Sequence, residues 1–165
     1  MRRLAAAAAE IGDEVEVLTS APSAAPTEDA GRLHVHTWRR GWPEAICRVP
    51  GIPAFLKATP FDVVHHHGLW LRTLHYARAK ARQDDVPLVI SPRGMMSPWA
   101  WQHHRLQKMF AARWLHPGAL AAASGWHATS PGEAGEIRRL GFAQPICIAP
   151  NGVDRPDERE SAAAR

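Results

Sequence analysis

Short apolar segments typical of β-strands alternate with longer segments of helical periodicity along almost the whole chain. The predicted strands are residues 14–18, 33–38, 63–67, 87–91, 125–129 and 145–150. The predicted helices are residues 2–11, 52–59, 69–83, 97–117 and 131–141. Parallel strands need crossover connections, and helices of these lengths supply them. The sequence therefore predicts an α/β fold, with a parallel sheet covered by helices on both faces.

Two connections carry distinct local signals. Residues 20–31 are rich in Pro, Ser and Ala, and this composition predicts a surface loop. Ser130, Pro131 and Glu133 match a capping box with proline at the first helical position. The helix that follows Ser130 therefore has the best-marked start in the chain.

Composition narrows the class of protein. The chain has 165 residues, enough for one ordinary core, and its alanine block Ala5–Ala9 is far too short to cross a bilayer. We expect a cytoplasmic protein. Residues 63–116 contain eight Lys or Arg and only two acids. Such a stretch attracts phosphates, anionic head groups or nucleic acid, but no nucleic-acid-binding signature accompanies it.

Loops at the carboxyl ends of three predicted strands are the candidate ligand site, because ligands bind at this edge of open α/β sheets. These loops are residues 65–70, 91–96 and 150–154. Gly68 and Gly94 allow the backbone to approach a ligand closely. Arg93 offers a bidentate fork for phosphate or carboxylate, and His67 is placed for polar contact. The loop of residues 65–70 also contains Trp70, whose position suits a ligand platform and a core position equally well.

Structural roles compete with these functional ones. Alternation along a strand puts His65 and His67 on one side and His66 on the other. No carboxylate or cysteine stands at ligand spacing from them, and Cys47 and Cys147 are far apart, so we expect no metal site. For Arg93 the alternative is a structural ion pair or a solvated loop position.

Five motifs resemble the N-terminal domain of family 4 glycosyltransferases, in particular the branch that builds bacterial surface polysaccharides. They follow the family's order and spacing and cover nearly all of residues 1–154. The motifs are residues 13–19, 61–70, 89–95, 127–130 with Glu133, and 148–154.

The resemblance implies one half of a GT-B enzyme, in which two Rossmann-like domains face each other across a cleft. Such enzymes move a sugar from a nucleotide sugar to an acceptor hydroxyl without a metal. By motif position, His67, Gly68, Trp70, Arg93 and Gly94 would bind the acceptor, which we expect to be a saccharide or a lipid-linked saccharide. Asn151 and Gly152 would lie at the domain junction.

Compared with the family pattern, Met1 already lies within the first helix, so the first strand and its glycine-rich turn are expected to be missing. We expect an incomplete Rossmann-like domain at residues 1–154 and a frayed, charged tail at residues 155–165. We expect no counterpart of the family's donor-binding domain, and we therefore expect this chain to be inactive alone.

Three hypotheses about the function remain open. The first is a glycosyltransferase fragment, and the second is an acceptor-binding or membrane-recruiting subunit that partners a separate donor-binding chain. The third is a nucleic-acid-binding module, which ranks well below the others because charge alone favours it. The basic stretch further predicts an anionic membrane surface as a partner, with the protein peripheral at the inner face of the membrane.

Overall fold

The computed structural model describes residues 2–97 and 118–152. The predicted helix at 97–117, apart from Ser97, and the predicted tail at 155–165 fall outside the described residues, as do Val153 and Asp154. The helices are α1 (Arg2–Glu10), a 3₁₀ turn (Glu44–Ile46), α2 (Gly51–Ala58), α3 (Thr73–Asp84) and α4 (Pro131–Arg139). The strands are β1 (Val15–Ala21), β2 (Ala25–Ala30), β3 (Leu33–Arg39), β4 (Val64–His67), β5 (Leu88–Ser91), β6 (Gly125–Ala128) and β7 (Ile146–Ile148).

The carboxyl-terminal half forms a four-stranded parallel sheet in the order β4-β5-β6-β7, called here the second sheet. Its register aligns His66 with Ile90, Ile90 with Trp126, and Trp126 with Ile146. Strand and crossover alternate along this half, as the sequence predicts. The predicted α/β class with a Rossmann-like parallel sheet is confirmed.

The amino-terminal half forms a separate three-stranded sheet, the first sheet, in the order β1-β3-β2. β1 is parallel to β3, whereas β2 is antiparallel to it. The loop predicted for residues 20–31 is therefore wrong, because Ala25–Ala30 is a strand. Every residue of β2 is exposed, so no buried face imposes an apolar alternation on its sequence. Its pairing shifts between Ala25 and Glu28, around Pro26, which has no N–H to give to the ladder.

The main core lies on one face of the second sheet. α3 contributes Leu74 and α4 contributes Ile137, and both are fully buried with Ile90 and Trp126 in one cluster. Apolar side chains on that face and polar side chains on the other follow from the two-residue period of a strand. The opposite face carries the polar residues described below.

Two smaller clusters support the amino-terminal half. One joins α1 to the first sheet through Ala5, Val17 and Val35. The other surrounds α2 and contains Cys47, Val49, Ile52 and Leu56, with Leu71 packed against it.

The chain between β4 and α3 makes a turn where the sequence predicts the first turn of a helix. α3 begins at Thr73 and not at Leu69, because Leu69 is fully buried and Arg72 N donates to Ile46 O at 2.7 Å. Tertiary contacts thus override helical periodicity at residues 69–72. None of the helices in the described ranges is long and apolar enough to span a membrane.

Candidate functional site

The three consecutive histidines of β4 divide between the two faces of the second sheet. His66 is buried with its Nε2 3.0 Å from the Thr73 hydroxyl and its Nδ1 3.2 Å from Gly68 O. The rings of His65 and His67 stack on the other face, with centroids 4.3 Å apart. The predicted alternation is confirmed, and it leaves His67 at the carboxyl end of the strand.

Arg93 joins the loops that follow β4, β5 and β7. Its Nε and Nη2 donate to His67 Nδ1 at 3.2 and 3.1 Å, and its Nη1 donates to Asn151 Oδ1. The backbone of Arg93 is in the left-handed region, with φ of 56°. Residues other than glycine rarely adopt this conformation. Three of the predicted site residues thus meet at one edge of the sheet.

The contact with Arg93 fixes the protonation of His67. A guanidinium only donates, so Nδ1 of His67 must accept and the ring proton lies on Nε2. Burial, then the nearby His65 and Arg93, lower the pKa of His67 to about 3. At neutral pH the site therefore presents one cation, Arg93, beside an uncharged imidazole that can donate from Nε2.

A chain of hydrogen bonds runs beneath this pair. Because the Ala149 carbonyl only accepts, His127 Nε2 donates to it at 3.0 Å. The Ser91 hydroxyl bridges two histidine rings, since it lies 3.0 Å from His127 Nδ1 and 2.7 Å from His65 Nε2. Burial, then His127 and Arg93, lower the pKa of His65 to about 4, so the ring stays neutral.

The sequence analysis did not identify this chain of hydrogen bonds. The sequence feature that indicates it is the presence of Ser91 and His127 in short strands whose other positions are apolar. Two polar residues at strand positions on the side of His65 indicate a polar face that needs internal partners.

Glu133 ties the start of α4 to the loop that contains Arg93. Its Oε1 accepts from Gly94 N at 2.6 Å, and its Oε2 accepts from Thr129 N and Oγ1 at 2.6 and 2.8 Å. The capping box is thus half correct. Ser130 Oγ accepts from Glu133 N at 3.2 Å, as predicted, but the carboxylate does not return to Ser130.

The charge of Glu133 is maintained despite its position. Only 5% of the residue is exposed, and burial by itself raises the pKa of the carboxyl. The amides of Thr129 and Gly94 and the Thr129 hydroxyl outweigh burial and lower the pKa overall. Glu133 is therefore a buried carboxylate that orients the Gly94 backbone.

The remaining predicted residues surround this group. Gly68 and Gly94 have positive φ angles of 88° and 77°, and Gly68 N donates to Ser91 O at 2.8 Å. Gly152 is exposed next to Asn151. Trp70 is half-buried and packs against the main core, so at least part of its surface serves folding. A role for Trp70 in binding stays a prediction.

His, Cys, Asp and Glu side chains occur throughout residues 2–97 and 118–152. No group of three His, Cys, Asp or Glu side chains in these ranges is placed to hold a metal ion. The polar atoms of the site are instead engaged with one another, through Arg93, Ser91 and Glu133.

Comparison with known families gives one match. The model of the family described as Glycosyltransferase Family 4 matches residues 1–155. A search among curated proteins found no match. The family match includes both sheets and all of the strand-end residues described above.

Proposed function

Because the chain belongs to Glycosyltransferase Family 4, we propose that it forms the acceptor-side half of a glycosyltransferase that moves a sugar from a nucleotide sugar to a saccharide acceptor. The observation that carries this proposal is the meeting of His67, Arg93 and Asn151 at the carboxyl ends of the parallel strands. This edge is where α/β sheets bind ligands.

The chemistry of the site suits an acceptor rich in oxygen. Arg93 supplies a fixed positive charge, and His67 supplies a neutral donor at Nε2. Hydroxyl oxygens and a phosphate are acceptors for such donors. Gly68 and Gly94, which have no side chains, allow the backbone to approach the same ligand. These features support a saccharide attached to lipid through a phosphate, as used in polysaccharide biosynthesis at the inner face of a membrane.

A second proposal is a non-catalytic acceptor-binding subunit that works with a separate donor-binding chain. It is favoured by the engagement of two candidate bases at the strand ends. Glu133 accepts three hydrogen bonds, and Nδ1 of His67 is occupied by Arg93. In either case the nucleotide sugar is expected on a partner domain or chain.

Saturation-transfer NMR with a polyprenyl diphosphate-linked monosaccharide tests the proposed binding. We expect transfer to the sugar and phosphate-proximal protons with the unmodified chain and at least a tenfold weaker affinity for Arg93→Ala, because a charged hydrogen-bonding group is lost. Arg82→Ala is the matched control, since Arg82 is an exposed arginine in the last turn of α3. Unchanged binding by Arg93→Ala, or equal loss with Arg82→Ala, contradicts the proposal.

A further inference from the structure

Trp42 is the most exposed large apolar side chain in the described ranges. It lies in the connection between β3 and α2, and 84% of the residue is exposed. Tryptophan usually buries most of its area, so exposure on this scale needs a reason outside the folding of the connection itself. We call residues 39–48 the Trp42 loop.

The backbone of the Trp42 loop is held without help from the indole. Gly41 N donates to Arg48 O at 2.8 Å, closing an antiparallel bridge. Arg48 Nη1 reaches Trp42 O at 3.4 Å. Gly41 also lies so close to Pro50 that a Cβ there would be 3.2 Å from the proline ring. The loop thus presents Trp42 to solvent on a fixed base.

Positive charge exceeds negative charge in the Trp42 loop. Arg39 and Arg48 are exposed, and neither has an ion pair with any of the described residues. Arg40 uses its guanidinium on the Ser20 hydroxyl and carbonyl. Against these three arginines the loop has one acid, Glu44. By contrast, the exposed Arg32 is paired with Glu14.

The described part of the long basic stretch exposes Arg72 and Arg82, but its described tryptophan, Trp70, is half-buried. Lys80 is buried and paired with Asp84 at 2.7 Å, and Arg93 is engaged in the strand-end site. Arg105, Lys108 and Arg113 lie outside the described residues. The prediction that this stretch faces a membrane therefore stays a prediction, and the Trp42 loop is a different surface.

We propose that the Trp42 loop is a docking surface for an anionic lipid bilayer. Indole rings concentrate at the boundary between head groups and hydrocarbon, where an apolar body and a polar N–H are both satisfied. Exposed arginines of the same loop attract anionic head groups. A nucleic-acid duplex would use the charge, but its bases are already stacked on one another and offer no free face to the indole.

The position of the loop links docking to the strand-end site. Ile46 O accepts from Arg72 N at 2.7 Å, and Leu71 packs against the cluster that contains Cys47. The Trp42 loop therefore abuts the turn that follows Gly68 and Trp70. If the proposed function holds, docking brings a lipid-linked acceptor beside this turn, but the lipid binding itself does not depend on that function.

Sedimentation of the full chain with vesicles tests the inference. We expect binding to vesicles of phosphatidylglycerol and phosphatidylcholine that weakens with salt, and much weaker binding to phosphatidylcholine alone. Arg39→Ala and Arg48→Ala should each weaken binding about fivefold, the usual effect of one surface arginine near anionic lipid. Trp42→Ala should weaken it by a similar or larger factor.

Ile11→Ala is the matched control for Trp42→Ala. Ile11 is 83% exposed, but it precedes β1 and so lies at the opposite end of the first sheet. The thermal midpoint of Trp42→Ala should stay unchanged, which separates lost binding from lost folding. Equal effects of the two substitutions, equal binding to neutral vesicles, or preferential binding to a 20-base-pair duplex overturns the inference. None of these results bears on the NMR test of Arg93.

Discussion

His67 keeps a neutral ring beside a guanidinium. Because this ring is harder to protonate in the folded protein than in the unfolded chain, His67 makes the stability of the fold depend on pH. In the unfolded chain a histidine titrates near its ordinary pKa of about 6.5, whereas in the folded protein the pKa of His67 falls to about 3. Between these values the unfolded state binds a proton that the folded state does not. The contribution of His67 is therefore fully present above pH 6.5 and is lost as the pH falls below it.

Urea unfolding at a series of pH values measures this contribution. The ring is partly open to solvent, so we expect His67 to account for only about 1 kcal/mol of the stability lost between pH 6.5 and 5, below the unscreened limit of about 1.4 kcal/mol per pH unit. His67→Gln, whose amide oxygen can still accept from Arg93, should flatten the acid limb by that amount.

His34→Gln is the control with the opposite sign. A hydrogen bond to Asp29 raises the pKa of His34, so its contribution is present at low pH and is lost as the pH rises through the folded pKa. Removing it should not flatten the acid limb. The same flattening in both variants would show that the effect of His67 is nonspecific.

For single residues, the sequence predicted the face of the sheet on which a side chain lies better than it predicted the partner of that side chain. The shared side of His65 and His67 follows from the period of a strand, which is a local property. The contact between Arg93 and Asn151 joins residues 58 positions apart, and it depends on how β7 aligns with β5 through β6. Strand order is a long-range property, so a single sequence predicts only that both loops lie at the same edge.

Elements are joined at the site by Glu133, which connects the start of α4 with the loop after β5. Each carboxylate oxygen accepts from a different backbone amide, those of Gly94 and Thr129. A glutamine there must turn its NH₂ toward one of the two amides, whichever way it is oriented. We expect Glu133→Gln to lower the free energy of unfolding by about 2 kcal/mol, the usual cost of leaving buried polar groups unsatisfied.

Chemical denaturation checks this expectation against Glu136→Gln. Glu136 lies one turn further along α4 and forms only a 3.9 Å ion pair with exposed Arg139, so its substitution should cost less than about 0.5 kcal/mol. Similar losses in both variants would mean that the bonds to Gly94 and Thr129 add nothing beyond the charge.

The start of α4 also shows why local motifs are only partly predictive. Ser130, Pro131 and Glu133 marked the helix start correctly, because capping and proline geometry are local. The destination of the Glu133 carboxylate was set by the loop after β5, which lies far away in sequence. Strand β2 was missed for the same reason, because it is stabilised by pairing with the edge of β3 and not by a local sequence pattern.

At the scale of the whole molecule, the described strands form two sheets with separate cores. α1 and the first sheet enclose a small cluster that includes Leu33, whereas the second sheet shares its core with α3 and α4. The sequence predicted the alternation of elements, but not the division between sheets, which depends on pairing between distant segments. Separate cores allow the two halves to open with different free energies.

Hydrogen exchange followed by mass spectrometry can resolve the two halves. We expect the slowest exchange in β5 and β6, where Ile90 and Trp126 are almost completely buried, and the fastest strand exchange in β2, which is exposed throughout. Leu33→Ala removes a buried side chain from the small cluster, a change that typically costs about 2–5 kcal/mol. It should speed exchange in β1, β2 and β3 by at least tenfold and leave β5 and β6 nearly unchanged.

Leu4→Ala is the control for Leu33→Ala, because Leu4 is a leucine of α1 in the same half of the chain but is 43% exposed. It should leave exchange in all strands close to that of the unmodified protein. If Leu33→Ala accelerates β5 and β6 as much as β1 and β3, the two sheets unfold as one cooperative unit. In that case the free energy of opening of the strand-end site equals that of the whole chain. If the sheets open independently, the contact between His67 and Arg93 depends on the stability of the second sheet alone.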